Sequence, residues 1–145
     1  MEKIVNSTEE TKQLAKKIAK KLKSKDVLAL YGELGTGKTT FTRFLVDALG
    51  IEARVQSPTF ILARAYKTEN SSAKIKKVNH LDLYRLKSKE EVADLGLKEY
   101  FNQPKSMSII EWPELAEDYL PERTVTIKFK DLGENKRKIN VQNLH

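Results

Sequence analysis

The chain has 145 residues, of which 39% are hydrophobic and 32% charged, and a formal net charge of +7. That length predicts one domain over residues 1–145, and the apolar fraction suits a globular core rather than a disordered chain. The lack of cysteine excludes disulfides and thiolate metal sites. No apolar run approaches the roughly 18 residues of a membrane span. The N-terminus, MEKIVNSTEE, has no stretch suited to a signal peptide, so the expected location is cytoplasmic.

In chain order, Ser7-Thr8-Glu9-Glu10 reads as a capping box and predicts a helix from about Thr8 to Leu22. Its apolar positions Leu14, Ile18 and Leu22 are surrounded by Lys12, Lys16, Lys17, Lys20, Lys21, Lys23 and Lys25. This is the pattern of an amphipathic helix with a solvated basic face. Much of the net charge is accounted for in this way, and no RNA-binding motif accompanies it. Val27–Tyr31 is a short β-prone run. It leads into Gly32-Glu33-Leu34-Gly35-Thr36-Gly37-Lys38-Thr39, which fits the phosphate-binding P-loop pattern G-x-x-x-x-G-K-[ST] at every fixed position. Glycines there let backbone N–H groups approach a phosphate. Lys38 can reach the terminal phosphates, and Thr39 offers a hydroxyl to magnesium. A P-loop lysine with no phosphate to meet is expected to face solvent. Residues Thr40 to Leu49 predict the following helix, stopped at Gly50, so that its N-terminus also faces the anion.

Val55–Phe60 reads as a loop, with Pro58 excluding a central strand, and Phe60 to Tyr66 as an extended segment. The polar stretch Lys67–Ser72 turns the chain back into a strand from Ile75 to Tyr84. Ser88-x-x-Glu91 is a second capping box opening a short helix that ends near Gly96, and Leu97–Phe101 suits a further helical turn. Met107–Glu111 is an apolar strand ending in an acid. Thr124–Lys130 and Ile139–Val141 alternate as the two arms of a hairpin turned at Gly133, decorated by Lys128, Lys130, Lys136, Arg137 and Lys138. The order predicts an α/β, P-loop NTPase-like fold. Its mixed, mostly parallel sheet would be flanked by helices, with antiparallel hairpins at the edges.

Hydrolysis needs more than a P-loop: an acid on the magnesium side and a group that positions water. Glu111, delivered by the end of a buried strand, suits the first role, where aspartate is the commoner residue. His80, Asp82 and Tyr84 alternate onto one strand face. There Asp82 either orients water or a metal-bound water, or belongs to a solvated face with a salt bridge to Arg85. His80 suits a structural or hydrogen-bonding role better than metal ligation. Trp112, the single tryptophan, is either core or close to the nucleotide. Asn135-Lys136-Arg137-Lys138 lacks the acid of the guanine signature N-K-x-D, which favours ATP over GTP.

Taken together, GELGTGKTT, SPTF, HLDLYRL and IEWPE, in this order and at these spacings, resemble the TsaE (YjeE) proteins, bacterial P-loop ATPases of tRNA threonylcarbamoyladenosine biosynthesis. The resemblance covers nearly the whole chain, and the last three motifs are the specific ones. It implies that Gly35, Thr36, Gly37, Lys38, Thr39 and Thr40 bind ATP phosphates, and that Thr39 and Glu111 serve a magnesium ion. It further implies that Thr59 lies in a switch-like loop near the γ-phosphate, and that Asp82 is needed for hydrolysis. Trp112 and Glu114 would lie near the nucleotide, and Thr8 and Thr11 would approach the adenine. The implied partners are TsaD and TsaB, whose assembly this ATPase would reset between turnovers, with any tRNA contact made through the complex. A small-molecule P-loop kinase is the enzyme alternative, although Arg64, Arg85 and Arg123 are scattered and form no obvious lid. A nucleotide-gated adaptor without useful turnover is the non-enzyme alternative.

Overall fold

The structure, a computed structural model, describes residues 1–56 and 62–145. Ser57–Phe60, with Thr59, and the start of the predicted extended segment therefore lie outside the described residues. A strand absent from the sequence expectation, β1 (Glu2–Val5), opens the chain and is followed by α1 (Thr8–Lys21), β2 (Val27–Tyr31) and α2 (Lys38–Ala48). β3 (Ala63–Lys67) and β4 (Lys77–Asp82) come next, then α3 (Lys89–Ala93), α4 (Leu97–Phe101) and β5 (Ser106–Glu111). A 3-10 helix at Pro113–Tyr119 precedes β6 (Val125–Gly133) and β7 (Lys136–Gln142).

Among the described residues the strands form one seven-stranded sheet in the order β1-β7-β6-β2-β5-β4-β3. Its centre is parallel, with β2 between β6 and β5, and β4 beside β5. Both edges are antiparallel: β7 and β1 extend the β6 side, and β3 closes the β4 side. β2 is buried on both faces, which explains why VLALY reads as an unbroken apolar run rather than an alternating one. Leu28 and Leu30 meet the core under α1 and α2, while Val27 joins the core under α3, α4 and the 3-10 helix.

α1 begins as its capping box predicts, with Ser7 Oγ accepting from Glu10 N–H at 3.2 Å. The reciprocal bond reaches one residue further back, from Asn6 N–H to Glu10 Oε2 at 2.6 Å. Leu14, Ile18 and Leu22 are wholly buried, whereas Lys16, Lys17, Lys20 and Lys21 are exposed. Burying three such side chains is worth at most about 5–9 kcal/mol. That exceeds anything intrinsic propensity supplies over a helix of this length, so packing against the sheet holds α1 in place. Ser88 caps α3 in the same manner, accepting from Glu91 N–H at 3.3 Å.

Candidate functional site

The site is built where the parallel strands end. β2 runs directly into Gly32, and the loop needs left-handed backbone at Gly35 (φ 78°) and Gly37 (φ 101°). Gly37 is also the N-cap of α2, which has no side-chain cap and no acid in its first turn. α1 shows the contrast, with a serine cap and Glu9 and Glu10 in its first turn. The N–H groups that open α2 thus have no carboxylate or hydroxyl of this helix covering them, as a phosphate-binding terminus requires.

The register of the sheet brings the acids to the loop. Glu111, at the end of β5, stands opposite Leu30 of β2 on one side and Asp82 of β4 on the other. A cleft of about 430 Å³ is lined by Gly35, Gly37, Lys38, Thr39, Thr40, Asp82, Glu111, Trp112 and Arg137. Asp82 and Glu111 are each only 3% exposed. Asp82 Oδ1 accepts the Tyr84 N–H at 2.9 Å, which turns the chain as it leaves β4. Tyr84 does not stay on the strand face with His80 and Asp82: it lies beyond the end of β4, half exposed, with its ring 5.0 Å from that of Trp112.

Lys38 corrects the expectation that it faces solvent. It is 5% exposed; its Nζ donates to Gly32 O at 2.6 Å and lies 4.0 Å from the centre of the Trp112 ring. Burial pulls the ammonium below its usual pKa range, and the carboxylates of Glu111, Asp82, Glu114 and Glu33 act in the opposite direction. In this arrangement the amine is stored on the loop's own carbonyl and on an aromatic face. Trp112 is accordingly a wall of the phosphate cleft rather than a core residue. Glu114 is exposed at the start of the 3-10 helix and reaches Lys38 by charge, without lining the cleft.

A second cleft, of about 360 Å³, lies on the other side of the loop and brings Thr8, Thr11, Thr36, Gly37 and Thr40 together with Asn6 and Phe129. The residues that the resemblance assigns to adenine and to phosphate are thus neighbours. Arg137 lines both clefts, and its buried Nε has no hydrogen-bond partner among the described residues. Its Nη1 holds Asp131 at 3.1 Å. In the sequence Arg137 reads as hairpin decoration, and its one distinguishing signal is that it is a lone arginine among the lysines of β7. His80, wholly buried, joins Glu111 Oε2 through Nε2 at 2.6 Å and Tyr66 through Nδ1 at 2.9 Å.

Thr39 and Glu111 offer a hydroxyl and a carboxylate to the same cleft, a hard-oxygen pair that fits magnesium. Among the described residues no group of three or more His, Cys, Asp or Glu side chains could hold a metal alone. Magnesium at such a pair would rely on phosphate oxygens for further ligands, as it usually does in nucleotide sites.

Residues 5–139 match the family model described as threonylcarbamoyl adenosine biosynthesis protein TsaE. The chain belongs to the TsaE family. A protein of Rickettsia felis named tRNA threonylcarbamoyladenosine biosynthesis protein TsaE is 42% identical over 92% of this chain and 75% of its own length. The protein of that name from Bacillus subtilis is 40% identical over 90% of this chain and 78% of its own. A crystal structure of Bacillus subtilis YdiB superimposes with a TM-score of 0.80 at 33% identity, covering 100% of this chain and 86% of that one. The architecture is therefore P-loop NTPase-like α/β, and TsaE membership gives the chain a role in tRNA threonylcarbamoyladenosine biosynthesis, a tRNA modification. A P-loop in this family implies nucleotide binding. No helix among the described residues is long and apolar enough to cross a membrane.

Proposed function

We propose that this TsaE-family chain acts over residues 1–145 as one cytoplasmic, magnesium-dependent ATPase whose nucleotide state governs its contact with a TsaD–TsaB assembly. The observation that carries the reading is the convergence of Lys38, Thr39, Asp82 and Glu111 on one cleft at the P-loop. Backbone N–H groups of Gly35–Thr40 and the α2 N-terminus bind the phosphates. Lys38 leaves Gly32 O and Trp112 for the terminal phosphates, and the new charge there replaces its stored contacts. Thr39 and Glu111 hold the magnesium ion, which would neutralise charge on the transferred group. Asp82 accepts from and aims the attacking water. Thr8 and Thr11 flank the base, with Arg137 between base and phosphates, and Trp112 and Glu114 close the outer side. Thr59 senses the γ-phosphate.

The partner claim follows from family membership together with the shape of the site. Exposed Leu34 and Tyr84 border the phosphate cleft, where a change in nucleotide alters the surface a partner meets. Contact with tRNA is made through the assembly. The test is the affinity for TsaD–TsaB measured with a non-hydrolysable ATP analogue, with ADP and with no nucleotide. Tighter binding with the analogue is expected, and by reciprocity the assembly must then raise the affinity for the analogue over ADP by the same factor. Equal affinities would contradict the switch, and absence of binding would contradict the partner.

A further inference from the structure

Three adjacent strands carry a buried polar chain that the mechanism above uses only at its Glu111 end. Tyr66 on β3, His80 on β4 and Glu111 on β5 are 5%, 0% and 3% exposed. The Tyr66 hydroxyl lies 2.9 Å from His80 Nδ1, and His80 Nε2 lies 2.6 Å from Glu111 Oε2. At its far end the same hydroxyl lies 3.1 Å from Gln56 O and 3.4 Å from Gln56 N. Gln56 is the last described residue before segment 57–61.

The proton inventory orders this chain. An ionised Glu111 only accepts, so His80 Nε2 must carry a proton. A neutral ring then presents a bare Nδ1, which accepts the single Tyr66 proton. The Tyr66 oxygen is left to accept from Gln56 N–H. The hydrogen bonds then run in one direction, from the Gln56 N–H to the carboxylate, and Gln56 O, 3.1 Å from the Tyr66 oxygen, competes with the nearer His80 Nδ1 for the one phenol proton. Among the described residues, Glu111 lines the phosphate cleft while His80 and Tyr66 do not, so any effect they have on ligand passes through Glu111. A glutamate has several rotamers, and a short bond to a fixed ring on the neighbouring strand selects one. That bond commits Oε2 and leaves Oε1 to meet an ion.

We propose that Tyr66 and His80 are positioning residues: they fix the Glu111 carboxylate for the metal and make its orientation depend on the backbone path at Gln56. This deepens, and rests on, the reading of Glu111 as the magnesium-side acid. Loss of such outer partners typically lowers metal affinity or activity about 10–100-fold.

The experiment compares Tyr66→Phe, His80→Ala, His80→Gln and Glu111→Gln in the full chain. It reads turnover against magnesium concentration, ATP affinity in EDTA and thermal stability. Tyr66→Phe should raise the magnesium concentration for half-maximal turnover and lower kcat, each several-fold, with KM for ATP, affinity in EDTA and folding unchanged. His80→Gln, whose amide can donate from the Nε2 position, should recover part of what His80→Ala loses. Wild-type magnesium dependence in Tyr66→Phe beside a shifted Glu111→Gln would overturn the inference and leave the reading of Glu111 standing. Wild-type behaviour of Glu111→Gln itself would overturn that reading and the inference with it. Ring ¹⁵N NMR on the metal-free protein, which has only two histidines, decides without turnover. The Nε2–H tautomer with an Nδ1 resonance that moves in Tyr66→Phe is expected, and an Nδ1–H tautomer would overturn the proposal.

Discussion

Gly32→Ala separates two demands that the P-loop makes of its glycines. At Gly32 the backbone has φ 151°, and an added Cβ would meet Thr36 Oγ1 at 2.8 Å, Phe129 O at 2.9 Å and Phe129 Cβ at 3.1 Å. Two of these neighbours belong to β6, which is paired to β2 through Tyr31 and Lys128 and cannot retreat cheaply. The disfavoured backbone costs about 1–3 kcal/mol, and crowding in a packed site costs a similar amount. A total of about 2–6 kcal/mol lowers Tm by about 6–18 °C in a chain of this size. Gly35→Ala is the control: φ is 78°, and a Cβ there meets nothing within 4 Å among the described residues. It should cost only the left-handed penalty of about 1–2 kcal/mol. Because Gly32 O holds Lys38 Nζ, relaxation around a new Cβ should also weaken ATP binding. Thermal unfolding followed by circular dichroism reads the first effect and calorimetry the second. Equal Tm losses in the two variants, or a Gly32→Ala protein as stable as wild type, would refute the crowding argument.

Lys38→Ala should lower ATP affinity at least about tenfold by calorimetry, since a charge-assisted hydrogen bond to phosphate is worth roughly 1.5–3 kcal/mol; unchanged affinity would remove Lys38 from the site. Arg137→Ala should weaken ATP and ADP to a similar extent, because Arg137 lies between the two clefts rather than at the end of the phosphate cleft; equilibrium dialysis with both nucleotides would show it, and wild-type binding would make it a hairpin residue. Trp112 emission should change on adding ATP with magnesium, because Lys38 leaves its ring; a flat titration with binding confirmed independently would contradict that movement.

The parts of the fold legible in the sequence are those governed by local chemistry. Capping boxes at Ser7 and Ser88 and the lysine-flanked Leu14-Ile18-Leu22 stripe locate α1 and α3, and a doubly buried run locates β2. β1 escaped because four residues, EKIV, carry no local signal; the strand exists through its pairing with β7, far along the chain. The candidate site was legible where spacing carries the chemistry, as in the P-loop itself. The environment of Lys38 was not, because its stored contacts are a carbonyl within the loop and a ring from after β5. The bond from His80 to Glu111 spans 31 positions and depends on the register of β4 against β5, which no local pattern encodes. Arg137 was hidden for the same reason: its role depends on which face of β7 meets the loop.

Turnover of ATP by Asp82→Ala and Glu111→Ala, measured with magnesium beside wild type and beside nucleotide affinity in EDTA, tests the central claim most directly. The account predicts that each variant loses at least about tenfold in kcat, on the order of 1.4 kcal/mol of transition-state stabilisation, while still binding nucleotide. Wild-type turnover in either variant would contradict it.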